Sequence, residues 1–232
     1  MTLSELTKKL NISKSTIFRI LLNLKDEKFV SKKQYTNKYY IGRKIFELSQ
    51  NITQENDITK IALPFMKELS CLVNESVSLQ VPYDEYRVCI EKVESTNIVT
   101  YKIELGRPIP LFAGAAGKAI LAFLSKERIK DIINHTNFIK YAKNTIINPA
   151  KLLKELEEIR KEGYATSFEE LVCDGASIAI AIFNKNEKVI ASLSIASIVS
   201  RFNEKGKITF YASLLKEFSK KISSRLGFVD DF

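Results

Sequence analysis

Metal-binding and nucleophilic side chains are scarce in this sequence. Cys71, Cys89 and Cys173 lie far apart with no CxxC, and His135 is the one histidine, so a Cys/His metal cluster cannot be assembled within a single chain. No apolar run approaches the roughly 18 residues that a membrane-spanning helix needs. Met1 is followed by TLSELTKK rather than by a basic and then apolar leader, so the chain reads as cytoplasmic, with no membrane partner. There is no GxSxG elbow, and His135 sits in a polar NHTN segment where a surface position is expected. The acidic pairs Glu157-Glu158 and Glu169-Glu170 read as solvated helix or loop charge. Neither an enzyme nor a metal or other cofactor is expected. Repeats and low-complexity segments are also missing.

What is present is a chain of 232 residues, 45% of them hydrophobic, enough to bury a core in one large domain or in a small one joined to a mid-sized one. The formal charge of +9 is unevenly spread. Residues 1–50 hold 11 Lys or Arg against 4 Asp or Glu, whereas the remaining 182 residues hold 25 against 23. A basic tail would lack periodic apolar residues, and this segment is full of them, so a folded basic domain that binds a polyanion is the better reading.

Thr2-Leu3-Ser4-Glu5 has the form of a capping box, and a short helix carrying Leu3, Leu6 and Leu10 should follow. Asn11 suits the left-handed residue that ends it, and Ser13 can cap a second helix in which Ile17, Ile20, Leu21 and Leu24 fall at i, i+3, i+4 and i+7. The opposite side of this second helix carries Ser15, Arg19 and Asn23, flanked by Lys14, Thr16 and Phe18. These groups suit a duplex: hydroxyls and a helix N-terminus satisfy phosphates, Arg bonds guanine bidentately, and Phe packs on a thymine methyl. Phe29-Val30 and Tyr39-Tyr40-Ile41 read as paired strands around the turn SKKQYTNK, whose Lys32, Lys33 and Lys38 would reach phosphates. The pattern is a winged helix-turn-helix over residues 1–43.

The stretches LSELTKKLNISKSTIFRILLNLKDEKFV and KYYIGRKIFELS resemble the DNA-binding half of the IclR family of bacterial transcriptional regulators. The resemblance implies a further helix before this point, completing a three-helix core and contributing to a dimer contact. Without it, the apolar faces around Leu6, Ile17 and Leu21 are expected to lie partly uncovered. The start then lies upstream, another chain covers the gap, or the DNA-binding half is weakened.

Residues 44–57 suit a linker helix, and residues 58–73 a second helix. Period-two runs follow at SVSLQV, RVCIEKV and IVTYKI, each a predicted strand. Helices are predicted near 117–124, 126–134, 149–162 and 204–226, and strands at 177–183 and 189–196. Residues 58–232 thus read as an α+β domain with a central antiparallel sheet. LGRPIPLFAGAAGKAILAFL, LEEIRKEGYATSFEE, SIAIAIFN and ASLSIAS resemble the IclR effector-binding domain, which implies a GAF-like fold.

GAAGKA invites comparison with a phosphate-binding loop. A Walker motif needs glycine five residues before Gly117 and Ser or Thr after Lys118, where this chain has Phe112 and Ala119. The alternatives are that small residues let the amides of Ala115 and Ala116 approach an anionic ligand, or that they permit close helix-sheet packing. Carried over from the family, the effector pocket implies Ala115, Ala116, Ser177 and Ser194. Ala196 and Ser167 replace polar family positions, which implies a smaller or less polar ligand than the hydroxy or keto acids of other members.

The function implied is a DNA-binding regulator whose operator affinity responds to a small organic-acid effector. Double-stranded operator DNA, the effector and a homodimer or tetramer are the expected partners. The competing reading is a sensor that has lost DNA binding and acts through protein partners.

Overall fold

The computed structural model describes residues 1–33, 35–45, 47–48 and 57–228. These form two compact units, Met1–Asp57 and Ile58–Phe232.

In the first unit, α1 (Leu3–Leu10) begins with the expected capping box: Glu5 N donates to Thr2 Oγ1 at 3.3 Å, and Thr2 N donates to the Glu5 carboxylate at 2.8 Å. Asn11, at φ 53°, ends α1 in the left-handed region. Ser13 then caps α2 (Lys14–Asp26), its hydroxyl accepting from Thr16 N at 3.2 Å. A two-stranded hairpin follows, β1 (Val30–Lys32) against β2 (Tyr39–Ile41), with Val30 opposite Ile41. Of the three apolar residues expected to lie partly uncovered, Leu6 is half-buried, as expected, whereas Ile17 and Leu21 are buried; Leu10, Ile20 and Leu24 are exposed. Residues 43–45 and 47–48 are helical, and the rest of the expected linker helix lies outside the described residues.

The second unit opens with α3 (Asp57–Val73) and is built on a six-stranded antiparallel sheet of order β5-β4-β3-β8-β7-β6. The hairpin β3 (Ser76–Tyr83) with β4 (Tyr86–Val93) and the hairpin β7 (Gly175–Phe183) with β8 (Val189–Ile198) join at the centre through β3 and β8. The short strands β5 (Pro108–Pro110) and β6 (Ala165–Phe168) form the edges. Between them in sequence run α4 (Ala115–Leu121), α5 (Lys126–His135) and α6 (Pro149–Glu162); α7 (Val199–Phe202) and α8 (Lys207–Arg225) close the unit.

Strand alternation sorts the side chains into two cores. Val77, Leu79, Ile178, Ile180, Leu193 and Ile195 face α3 and α8, meeting Met66, Leu69, Leu215 and Phe218. On the opposite face Ala179 and Ala181 are small, which lets α4 lie close against the sheet beside Ile120, Leu152 and Leu156. Each large apolar side chain so buried contributes about 1.5–3 kcal/mol.

One predicted strand is absent. Residues 98–103 form an irregular segment: Ile98 and Val99 are exposed while Tyr101 turns inward, so the alternation there reflects one anchored ring rather than sheet pairing. Glu170 also departs from expectation, being buried where a solvated charge was predicted.

Candidate functional site

The first unit presents a polar surface on α2 and its hairpin. Lys14, Ser15, Thr16, Phe18, Arg19 and Asn23 are all exposed, with Ser15, Arg19 and Asn23 on the side of α2 away from Ile17 and Leu21 and Lys14, Thr16 and Phe18 flanking it. Ser15 and Thr16 are gathered at the helix start, where the Ser13 hydroxyl lies 3.0 Å from that of Ser15 and 2.8 Å from that of Thr16. Lys32, Lys33 and Lys38 are exposed on the hairpin. Two of these are steered by aromatic neighbours on β2: Lys32 Nζ sits 5.6 Å from the Tyr39 ring centroid and Lys33 Nζ 5.1 Å from that of Tyr40.

In the second unit a cavity of about 390 Å³ lies on the α4 side of the sheet. Its inner wall is made by the outward-alternating residues of the central strands: Ser78 and Gln80 on β3, Arg87 and Cys89 on β4, Ser177 on β7, and Ser194 and Ala196 on β8. Ala116 of α4 and β5 complete one side, and Tyr101, Tyr141 and Leu171 border the rest. Of the four positions inferred from sequence, Ala116, Ser177 and Ser194 line this cavity; Ala115 is fully buried and is not part of its lining.

Polar groups on the wall are linked. The Ser78 and Ser194 hydroxyls share a hydrogen bond of 2.7 Å, and Gln80 Nε2 donates to Ser78 Oγ at 3.1 Å. Burial pushes the Arg87 guanidinium down to about 10 and the Cys89 thiol up to about 11, so near neutral pH the first is charged and the second protonated. Tyr101 is raised by burial as well, and its phenol stays neutral. Its ring fits because Gly175 has no side chain; a Cβ there would stand 2.7 Å from Tyr101 Cε2.

Lys118, the lysine of GAAGKA, does not reach the cavity. It is fully buried and ion-paired with Glu170 and Glu155. The second oxygen of Glu170 accepts from Gly114 N at 3.1 Å, which ties the start of α4 to the segment after β6. Gly117 meets the Leu111 backbone so closely that close packing accounts for its small size.

A family model, the C-terminal part of the bacterial transcriptional regulator IclR, matches residues 50–224. The chain belongs to the IclR family. This IclR-family protein is 34% identical to the HTH-type transcriptional regulator KipR of Bacillus subtilis, over 98% of its own length and 90% of that protein's. It is 31% identical to the HTH-type transcriptional regulator KdgR of Escherichia coli, over 98% of this chain and 86% of that one. The crystal structure of the Thermotoga maritima IclR matches with a TM-score of 0.80 and 31% identity, covering 98% of this chain and 92% of that chain. The IclR-family chain is thus a DNA-binding transcriptional regulator with an effector-binding C-terminal domain.

Sequence reasoning missed Ser78, Gln80, Arg87 and Tyr101 as cavity residues. A signal was available for three of them. Within the predicted strands SVSLQV and RVCIEKV, polar residues alternate with Val and Leu, and a polar stripe on the inner strands of a sheet faces either solvent or a site. Tyr101 carried no such signal, because its segment is not a strand.

Proposed function

We propose that the first unit is a winged helix-turn-helix in which α2 enters the major groove and the β1–β2 hairpin is the wing. Ser15, Thr16, Phe18, Arg19 and Asn23 would face base edges and phosphates, and Lys14, Lys32, Lys33 and Lys38 phosphates. The observation supporting this is that the first unit exposes a helix start rich in hydroxyls, an arginine on the same helix face as Ser15, and a lysine-bearing hairpin.

The second unit, a GAF-like sensor in this reading, takes a small organic effector in the cavity bounded by Ala116, Ser177 and Ser194. Its volume and its mix of apolar walls with a few convergent polar groups are those of a small-molecule site. The expectation of a less polar ligand is set aside, because Ser78, Gln80 and Arg87 restore the polar groups that Ser167 and Ala196 had seemed to remove. An effector that binds one state of the sensor better than another shifts operator affinity by that difference. A two-fold operator calls for a dimer, or a tetramer built from dimers.

The experiment is fluorescence anisotropy of the full chain with duplex from its own upstream region, across salt, beside Arg19→Ala. Tight binding that weakens with salt and falls for the variant is expected. Weak binding insensitive to Arg19→Ala would overturn the α2 assignment.

A further inference from the structure

The cavity wall carries a charge that no other group in the described residues answers. Arg87 is only 4% exposed, its Nε has no hydrogen-bond partner, and none of the ion pairs among the described residues includes it. Burial works against its charge; Tyr101, Cys89 and then Glu170, the one carboxylate among them, favour the charged guanidinium without bonding to it. Glu170 is already committed, one oxygen to Lys118 and the other to Gly114 N. The guanidinium lies at the start of α4, where a Cβ on Gly114 would stand 3.3 Å from Arg87 Nη2.

A second unmet atom sits beside it. Gln80 pairs with Cys89 across β3 and β4, so Gln80 and Arg87 are diagonal neighbours on one face of the sheet. The Gln80 amide nitrogen is used by Ser78, while its Oε1 is buried with no partner. Buried polar atoms are nearly always satisfied, so two orphans side by side in one cavity mark what a ligand must supply. Arg87 requires an anionic acceptor and Gln80 Oε1 requires a donor. The rim agrees in sign: Lys102 and Arg107 share a single carboxylate, Glu104, at 3.8 and 3.2 Å.

We propose that Arg87 and Gln80 are the specificity-determining pair of the effector cavity, Arg87 selecting an anion and Gln80 Oε1 reading a hydroxyl on it. This rests on the effector-pocket reading above and adds a subsite that Ala116, Ser177 and Ser194 do not supply. A planar carboxylate suits the guanidinium fork, and the Ser78–Ser194 pair lies next along the wall for the remainder of the molecule.

The test is calorimetry on the full chain with propionate, lactate, glycerate and gluconate, each beside its primary amide, followed by the effect of each on duplex affinity. At least one hydroxycarboxylate should bind, with its amide weaker by about 10- to 100-fold, the factor expected for a hydrogen bond to a charged group. Arg87→Gln should abolish the preference for acid over amide, and Arg87→Lys should retain part of it. Gln80→Leu should erase the preference for lactate over propionate while leaving the preference for acid over amide. Because Arg87 makes no structural ion pair, Arg87→Gln should fold, which thermal unfolding checks. Equal binding of acids and amides, unchanged acid binding in Arg87→Gln, or no binding of any acid at millimolar concentration would each overturn the proposal. Amides that bind and shift duplex affinity as well as acids do would sink the charge assignment while leaving the effector-pocket reading intact. Acids that bind through Arg87 without altering duplex affinity would do the reverse.

Discussion

Lys118 and Glu170 form an ion pair in the interior, their side chains 1% and 6% exposed. Glu170 therefore joins α4 to the segment that follows β6, while Arg87, which its field reaches, makes no ion pair in the cavity.

Removing one partner of such a pair strands the other without water. Glu170→Ala should cost about 3–5 kcal/mol, read as a lowered urea midpoint with little change in slope. A loss below about 1 kcal/mol would mean that Glu155 alone holds the Lys118 ammonium.

Arg87→Met should act in the opposite direction. Burial depresses the Arg87 guanidinium from its ordinary value to about 10, so the charged form is disfavoured in the folded chain. Between about 10 and the ordinary arginine value the unfolded chain binds the extra proton, so stability rises with pH across that window and the full penalty stands at every pH below it. Replacing the cation by methionine should therefore stabilise the unliganded protein at neutral pH, by roughly 1–3 kcal/mol, in parallel urea melts. Destabilisation by a similar amount would show that Arg87 has a structural partner.

Gly117→Ala tests the packing of α4. A Cβ at this position would stand 2.4 Å from the Leu111 carbonyl oxygen, and backbone cannot step aside as a side-chain tip can. A loss of about 1–3 kcal/mol is expected, with weakened effector binding because Ala116 moves with the helix.

On the DNA side, Arg19→Ala should weaken operator binding by about 1–3 kcal/mol and relax discrimination at one base pair. Lys32→Ala and Lys38→Ala should weaken binding to all sequences alike, each lowering the salt slope by roughly one. A titration across potassium chloride separates the two classes. Uniform loss from Arg19→Ala would reassign it to a phosphate.

Much of the first unit was legible because its determinants are local. The Thr2–Glu5 capping box, the left-handed Asn11 and the Ser13 cap each act within three or four residues, and the β1–β2 hairpin spans twelve positions. In the second unit, helix periodicity placed α3, α5, α6 and α8, and alternation placed the four long strands, since each element needs one apolar face whatever it packs on.

Fates that depend on partners distant in the chain were not legible. Residues 98–103 alternate as a strand does, yet Tyr101 is drawn inward by the vacancy at Gly175, 74 residues away. Lys118 and Arg87 look alike in the sequence as single cations among 36. Folding gives Lys118 a hydrogen-bonded ion pair with Glu170, whereas the field of Glu170 reaches Arg87 without a hydrogen bond. Local spacing determined the elements and their buried faces; only the tertiary structure decided which buried charge gains an ion pair and which does not.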